Sequence, residues 1–398
     1  MRFLFRRLCA AGFVTVLAVV LIALGTGDAQ GIIANQYLIA TGPGPGGGPH
    51  VALFKASDAK TQINFFAYAP SFSGGVDVAL GDLNGDGKLE VVTGPGPGGG
   101  PHVRVFSDHG VPIDAWGFFA YSAGFSGGVS VGVADIDGDD EKEILTAPAT
   151  GGPPLVRVWD IVGNKAVQVG EFLAYGSTFN GGVDIDGAYT DATNREGIVT
   201  AAGPGGGPHV RTFSATFAPV GSWFAYDPSY PGGVTVSAYT EDLNPGSEIV
   251  TGSRTARGHV RSFSATGIAK SVNFYAWDAS VDAGVAVGSI DDDSHGPFVV
   301  GPFRAGGPRP CSALENPPNC KRGDYFRGVD DDGDWTIQNL PYGATWKGGM
   351  RVAGGFGTFD DYGTVFNPTT TSTSAPATTT STSTTSTTVA PTTTSTTT

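Results

Sequence analysis

Short apolar runs separated by glycine- and proline-rich turns recur along the chain between residues 36 and 366. In one stretch these runs cover residues 75–80, 89–93, 102–106 and 113–121, and apolar and polar positions alternate along several of them. Short runs with this alternation predict β-strands, whereas the Gly and Pro residues between them predict turns. We name the four predicted strands A, B, C and D in chain order.

This four-strand pattern is repeated along the chain. Four of the repeats are marked by an aromatic residue two positions before a Gly-Gly pair, at Phe72, Phe125, Phe179 and Tyr230, with spacings of 53, 54 and 51 residues. Val281 and Trp346 continue the series, although Ala283-Gly284 replaces the pair after Val281. Four short antiparallel strands in a repeat of this length are typical of a β-propeller blade, in which each sheet buries its faces against its neighbours. We therefore predict an all-β fold, a β-propeller over residues 36–366.

The order of strands at the two ends of the repeat region predicts how the ring closes. The region begins with a B strand at residues 37–41, with no A strand before it, and a late A strand lies near residues 349–354. The late A strand can complete the early blade, which gives six four-stranded blades. A seventh blade, begun by a leftover B strand at residues 364–366, is the alternative.

The composition excludes several classes of protein. The 62 Gly and 27 Pro residues disfavour a helical bundle, because both are poor helix formers. A hydrophobic content of 40% is enough for a packed core. The net charge of −14 disfavours nucleic acids and anionic membrane surfaces as partners.

The first residues are typical of an export signal. A basic start that includes Arg2 and Arg6 precedes an uncharged apolar run at residues 8–24, and small residues follow at 27–29. This pattern predicts a signal peptide over residues 1–29, with a secreted or cell-surface protein and no membrane insertion after cleavage. An uncleaved N-terminal anchor is the alternative, because the apolar run approaches membrane-spanning length.

The last segment, residues 367–398, consists almost entirely of Thr, Ser, Pro and Ala. It has too few apolar side chains to offset the entropy of ordering, which predicts a disordered stalk. The sixth repeat also carries an insertion at residues 304–322, which contains Cys311 and Cys320. In an exported protein, two cysteines this close predict a disulfide that pins the insertion.

Oxygen-bearing residues occupy every second position of the turn between strands A and B in two neighbouring repeats. They are Asp82, Asn84, Asp86, Lys88 and Glu90 in one turn, and Asp135, Asp137, Asp139, Glu141 and Glu143 in the next. With Asp82 or Asp135 counted as position one, the residue at position seven is Lys88 or Glu141. This residue is expected to contribute its backbone carbonyl oxygen rather than a side-chain oxygen. Hard, charged oxygen donors are the ligands that calcium requires, and a cation would relieve the repulsion between carboxylates. The two turns therefore predict two calcium sites, with a solvated acidic hairpin that binds no metal as the alternative.

The turns do not match an EF-hand. That loop needs a Glu at position twelve and helices on both sides, whereas position twelve is Thr93 or Thr146 here and predicted strands flank the turn. With the β runs Glu90–Pro95 and Glu143–Pro148 that follow it, the motif Asp-x-Asn/Asp-Gly-Asp resembles the FG-GAP or VCBS repeats of integrin-alpha-like β-propellers. The resemblance implies a calcium-stabilised propeller with its metal loops on one face, often in surface proteins that adhere or recognise ligands.

Three classes of function remain after these exclusions. We predict a non-catalytic module that recognises an extracellular protein or carbohydrate through its B–C and D–A loops. The alternatives are a propeller-based polysaccharide-degrading enzyme and a purely structural surface protein. We expect no Gly-x-Ser-x-Gly nucleophile elbow and no zinc-type His pair, and the clustered carboxylates are already accounted for by calcium. These expectations favour the binding module.

Overall fold

The computed structural model describes ten segments of the chain. They are residues 34–56, 61–193, 195–240, 246–256, 258–277, 281–292, 296–303, 326–329, 335–339 and 349–359. All of them belong to one compact unit. Several sequence predictions lie outside these segments: the signal peptide at 1–29, the insertion at 304–322 with Cys311 and Cys320, the extra B strand at 364–366 and the stalk at 367–398.

The described residues form 24 β-strands and no α-helix. The first eleven are β1 (Ala34–Pro43), β2 (His50–Lys55), β3 (Thr61–Phe66), β4 (Val76–Gly81), β5 (Glu90–Pro95), β6 (His102–Phe106), β7 (Phe118–Phe119), β8 (Val129–Ala134), β9 (Glu143–Pro148), β10 (Leu155–Ile161) and β11 (Ala166–Leu173). The next eight are β12 (Val183–Ala188), β13 (Gly197–Ala202), β14 (His209–Phe213), β15 (Pro219–Phe224), β16 (Val234–Thr240), β17 (Ser247–Ser253), β18 (His259–Ser264) and β19 (Ala269–Tyr275). The last five are β20 (Val285–Asp292), β21 (Gly296–Pro302), β22 (Phe326–Val329), β23 (Trp335–Asn339) and β24 (Met350–Phe359).

Five antiparallel sheets each use four consecutive strands: β4–β7, β8–β11, β12–β15, β16–β19 and β20–β23. A sixth sheet is composite, in the order β24-β1-β2-β3, and so joins the two ends of the described chain. In it β24 pairs with β1 from Ala34 opposite Phe359 to Pro43 opposite Met350. The late A strand therefore completes the early sheet, as the strand order indicated.

The first strands of the sheets surround a common axis. Among the described residues, β4 contacts β8, β8 contacts β12, β12 contacts β16, β16 contacts β20, β20 contacts β24, and β24 contacts β4 again. Each sheet is thus flanked by two others, and the series returns to its start. This arrangement is a β-propeller, and the prediction of an all-β propeller is confirmed.

The hydrophobic core lies between neighbouring sheets. One cluster joins Leu38 and Leu53 of the composite sheet to Val76 and Val91 of the next sheet. Strand β5 is buried along its whole length because it packs against a sheet on each face. Burial of each large aliphatic side chain contributes about 1.5–3 kcal/mol, so the stability of the fold is spread over all the interfaces between sheets.

The Gly-Gly pair that marks the repeats lies where neighbouring sheets meet. A Cβ on Gly74 would overlap the carbonyl oxygen of Pro97 in the B–C loop of its own sheet. Gly75 has a φ of +85° and contacts Pro43, which ends the B strand of the preceding sheet. Both positions therefore require glycine, the first because of space and the second because of its backbone angle as well.

A tripeptide that recurs in the repeats, such as Phe66-Ala67-Tyr68 and its variant Leu173-Ala174-Tyr175, also ties neighbouring sheets together. The hydroxyl of Tyr68 donates to the carbonyl of His102 in the next sheet at 3.0 Å, and the Tyr175 hydroxyl does the same to the carbonyl of His209 at 2.9 Å. In return, Arg104 Nη1 donates to the carbonyl of Ala67 at 2.7 Å. The repetition of this tripeptide in the sequence therefore reflects a repeated clamp between sheets.

One predicted strand is much shorter than the sequence pattern indicated. Residues 113–121 were predicted as a D strand, but β7 covers only Phe118–Phe119. A 3-10 turn at Asp114–Trp116 replaces the start of the strand and buries Trp116, whose Nε1 donates to Asn164 of the next sheet at 3.0 Å. Burial of this indole and its hydrogen bond outweigh the ladder hydrogen bonds that the turn gives up.

Candidate metal centre

The two acidic turns lie at the same end of neighbouring sheets, one between β4 and β5 and the other between β8 and β9. In the first turn, Asp82 Oδ1 accepts a hydrogen bond from the amide of Gly85 at 2.8 Å, and Oδ2 accepts one from Gly87 at 2.7 Å. In the second, Asp135 accepts from Gly138 at 2.6 Å and from Asp140 at 3.2 Å. The Asp at position one therefore organises each turn in the same way.

A buried glutamate closes each turn at position nine. Glu90 Oε2 accepts a hydrogen bond from the amide of Leu83 at 2.9 Å, and Glu143 Oε2 accepts one from Ile136 at 2.6 Å. Both glutamates are only 4% exposed. Burial, the largest cause, and the charges of neighbouring aspartates together raise the pKa of each carboxyl to about 8. Each turn therefore holds a buried glutamate beside several aspartates, and these carboxylates repel one another when they are ionised.

The second turn brings three carboxylates together. Single oxygen atoms of Asp135, Asp137 and Glu143 lie within 4.8 Å of one another, so this group could hold a metal ion. Three hard oxygen donors fit calcium, the cation that the sequence predicted. Asp139 and Glu141, which the sequence placed in the same ligand set, are not part of this group.

The remaining predicted ligands shape the turns. Asp86 Oδ1 accepts from the amide of Lys88 at 2.9 Å, and Asp139 Oδ1 accepts from the amide of Glu141 at 3.0 Å. In the first turn Asn84 Oδ1 accepts from the amide of Asp86 at 2.9 Å. The carboxylate of Glu141 lies against Gly85 of the neighbouring turn. The two turns are therefore close enough for their charged side chains to interact.

Backbone and side-chain contacts link successive turns around the ring. The amide of Lys142 donates to the carbonyl of Asp82, and the amide of Glu196 donates to the carbonyl of Asp135, both at 2.8 Å. The third turn lacks the acidic motif, yet its Glu196 accepts from the amide of Asp135 and pairs with Lys142 Nζ, again at 2.8 Å in each case. Glu196 therefore stabilises the second acidic turn, through its contacts with Asp135 and Lys142, rather than the third turn in which it lies.

Sequence reasoning missed one acidic residue near the first turn. Asp108, in the hairpin after β6, is 3% exposed, and its charge contributes to the raised pKa of Glu90. Its Oδ1 lies 2.6 Å from His109 Nδ1, while Oδ2 has no hydrogen-bond partner. Asp108 falls outside the nine-residue motif, so only the folding of one hairpin over another brings it close to that turn.

The two turns differ at one position where the backbone is left-handed. Asp140 has a φ of +73°, whereas the equivalent residue of the first turn is Gly87, with a φ of +81°. Because a left-handed backbone costs a residue with a Cβ about 1 kcal/mol, we expect Asp140→Gly to raise the free energy of unfolding by about 0.5–1 kcal/mol. Urea unfolding measures the change, and Gly87→Asp, the matched control, should lower stability. Destabilisation by Asp140→Gly would show that the Asp140 side chain is needed.

One expectation about enzyme motifs is wrong. Residues 124–128 read Gly-Phe-Ser-Gly-Gly and so match the Gly-x-Ser-x-Gly pattern that the sequence was expected to lack. A nucleophile elbow stands between a strand and a helix. Here Ser126 is exposed in the D–A loop ahead of strand β8, and its carbonyl accepts a hydrogen bond from the amide of Gly98. The segment is a contact between sheets rather than an elbow.

The described part of the chain contains no helix that is long and apolar enough to cross a membrane. The fold and the paired acidic turns define the class: a β-propeller with candidate cation-binding loops at one end of its sheets. No family model matches the chain, and no curated protein matches it either.

Several solved structures are weakly similar to this chain. A protein of unknown function from Bacteroides caccae is 10% identical with a TM-score of 0.47, covering 81% of this chain and 99% of that one. Raptor from Chaetomium thermophilum is 13% identical with a TM-score of 0.44, over 83% of this chain and 29% of that one. Bacillus licheniformis rhamnogalacturonan lyase PL11 is 15% identical with a TM-score of 0.38, over 72% and 58%. Similarities this weak say nothing about activity.

Proposed function

We propose that this chain is an exported, calcium-binding β-propeller of six blades that recognises an extracellular protein or carbohydrate without catalysis. The observation that carries the calcium part is the convergence of Asp135, Asp137 and Glu143 on one point. The resemblance of both turns to FG-GAP or VCBS repeats supports it. The six sheets and the return of their inner contacts to β4 support the number of blades.

Calcium would act here as a structural ion. Asp135, Asp137 and Glu143 would hold it in the second turn, and Asp82, Asn84 and Glu90 would do so in the first. When bound, the ion would supply positive charge that offsets the repulsion between the clustered carboxylates. The chain's own part is to hold these oxygens in place through the amide hydrogen bonds to Asp82 and Asp135.

The raised pKa values of the two buried glutamates predict a pH dependence for the calcium-free protein. The pKa of Glu90 and of Glu143 is about 8 in the folded chain, well above the ordinary value of a glutamate. Folding therefore takes up protons between the two values, so the free energy of unfolding should fall as the pH rises from about 5 to about 8. Calcium, which binds the ionised carboxylates, should flatten this slope.

Urea unfolding at several pH values, with chelator and with calcium, measures both slopes. The Glu90→Gln, Glu143→Gln double variant is the control, because it removes both titrating groups and should flatten the slope in chelator alone. Equal slopes with and without calcium would contradict the prediction.

The recognition surface that we propose is the opposite end of the sheets, where the B–C and D–A loops lie. These loops are rich in Gly and Pro, and backbone hydrogen bonds join them between sheets, such as the one from Gly46 N to the carbonyl of Ser73 at 2.8 Å. A rigid loop surface loses little entropy on binding, which favours a recognition role. The net charge of −14 disfavours nucleic acid as the ligand.

Counting bound ions tests the calcium part of the proposal. Titration calorimetry on the full chain should find one calcium ion for each complete turn, and Asp82→Ala and Asp135→Ala should each remove one. Asp114→Ala is the control, because Asp114 is an exposed carboxylate outside both turns. A protein that binds no calcium would refute this part. Turnover of a polysaccharide, abolished by one substitution in a pocket, would instead establish the enzyme alternative.

A further inference from the structure

The first strands of the sheets present one ring of residues to the central axis. Each residue of the ring is the second in its strand and pairs with a Gly or Ala of the adjacent strand. The ring consists of Asp77, Ser130, Asp184, Thr235, Ala286 and Arg351. Asp77, Asp184 and Arg351 line both a channel of about 150 Å³ and a wider funnel of about 500 Å³ on the side of the B–C loops. Thr235 and Ala286 line only the channel, and Ser130 lines only the funnel.

Two acid–base pairs lie at the floor of the funnel. Arg254 Nη2 is 3.0 Å from Asp184 Oδ1, and Arg351 Nε is 3.8 Å from Asp77 Oδ1. Both guanidinium groups lie over the ring of Phe303, at 4.9 Å and 3.9 Å from its centre. Two cations and two anions therefore face one cavity, and their charges sum to zero.

The fold does not require charged residues at this register. Ser130, Thr235 and Ala286 occupy equivalent places in three other sheets, which form the same strand pairing without a charge. Burying charged groups costs free energy, and burial raises the pKa of Asp77 to about 6. Charged groups that lie at the floor of an open cavity, and that the scaffold can omit, indicate a binding site.

The Asp77–Arg351 contact leaves hydrogen-bonding capacity for a ligand. Asp77 Oδ2 accepts a hydrogen bond from the amide of Val131 at 3.0 Å, so this oxygen serves the neighbouring strand. Asp77 Oδ1 is 3.8 Å from Arg351 Nε, which is too long for a hydrogen bond. An acceptor and a donor therefore lie side by side, and a hydroxyl group, itself both donor and acceptor, can hydrogen-bond to both of them from the cavity.

The walls of the funnel add shape without adding charge. They come from Gly- and Pro-rich loop segments such as Gly44–Pro45 and Gly96–Pro97, together with Thr150 and Asn180. A hydrogen bond from Gly151 N to the carbonyl of Asn180 at 2.9 Å fixes one wall. The volume lies within the range of about 300–1,000 Å³ that is usual for small-ligand sites.

We propose that the funnel binds a neutral, hydroxyl-rich saccharide end, whose hydroxyls bridge Asp77 to Arg351 and contact the Arg254–Asp184 pair. The zero net charge of the floor favours an uncharged ligand over an organic anion or cation, whose charge would be left unbalanced. Vicinal hydroxyls match a floor that offers donors and acceptors side by side. This inference rests on the recognition part of the proposed function and is independent of calcium.

Binding of methyl glycosides to the full chain tests the inference. The neutral probes are the methyl glycosides of glucose, galactose, mannose and rhamnose, and those of glucuronate and glucosamine are their charged counterparts. Saturation-transfer NMR measures the binding of each probe. We expect saturable binding of at least one neutral probe. Asp77→Asn, which keeps an acceptor for Val131 but loses the charge, should weaken it about tenfold. Thr150→Trp, at an exposed position in the funnel wall, should abolish it.

Thr266→Trp is the matched control, because Thr266 is exposed but lines a different cavity. It should bind like the unmodified protein, and melting curves of all the variants verify that they fold. Equal binding by every variant would overturn the inference while leaving recognition elsewhere on the propeller intact. Tighter binding of glucuronate or glucosamine, or no binding of any neutral probe, would also overturn it. Calcium titration of the same samples judges the metal sites separately.

Discussion

Removing calcium will lower the melting temperature of this protein, and the Asp82→Ala, Asp135→Ala double variant will lose most of that response. An ion that binds only the folded state stabilises it by about 2.7 kcal/mol when its concentration is a hundred times its Kd. For two such sites the expected shift is several degrees, because about 1 kcal/mol moves the melting point of a large domain by roughly 2–4 °C. Calorimetry with and without chelator measures the shift.

The physical reason lies in the buried end of each turn. Glu90 and Glu143 are 4% exposed and lie beside further carboxylates, so the folded chain gains from a bound cation far more than the unfolded chain does. Asp114→Ala, which removes an exposed carboxylate that pairs with Arg104, should leave the calcium response unchanged. A melting curve that is the same with and without chelator would contradict the metal assignment.

Gly182→Ala should be among the most destabilising single substitutions in the chain, with a loss of about 2–5 kcal/mol. Gly182 has a φ of +89°, which costs a residue with a Cβ about 1–2 kcal/mol. A Cβ at this position would also overlap the carbonyl of Ala149 in the preceding sheet, and overpacking of this kind costs a further 1–3 kcal/mol, approximately. Urea unfolding, or loss of soluble protein, measures the effect.

Gly151→Ala separates the two causes. Gly151 also has a positive φ, +72°, but a Cβ there would meet nothing within 4 Å. We expect this variant to lose only about 1–2 kcal/mol, because it carries the backbone cost alone. Equal losses for the two variants would mean that the contact between the Gly-Gly pair and the neighbouring loop does not limit stability.

Much of the fold was predictable because the repeat imposes the same physical problem several times. The strand lengths and the Gly-Gly landmark recur because each sheet must fit between two others. The pairing of β24 with β1 followed from the strand order alone. The outer strand of the first complete repeat was not predictable in the same way. Pro112 lacks an amide hydrogen for the ladder, and the burial of Trp116 favours a 3-10 turn at this outer strand.

The candidate metal centre was predictable to the extent that its ligands are close in sequence. Asp135, Asp137 and Glu143 lie in one turn, so their spacing already indicated that they meet. Asp108 was missed because another hairpin brings it near the turn. The charged floor of the funnel was missed for a related reason, because a polar residue between two apolar ones in a strand usually faces solvent. Only ring closure turns that side of the strand toward a shared axis.

The composite sheet is the place where the ring is expected to open under mechanical force. Ala34 and Phe359, the outermost residues of β1 and β24, are paired directly opposite each other. A force that pulls these two residues apart therefore acts on the first rung of an antiparallel ladder. The residue pairs of the ladder would therefore separate one after another. They would not share the load in shear along the whole length of the strands. Every other sheet is a single continuous stretch of strands, so tension between the two ends is concentrated on this one ladder.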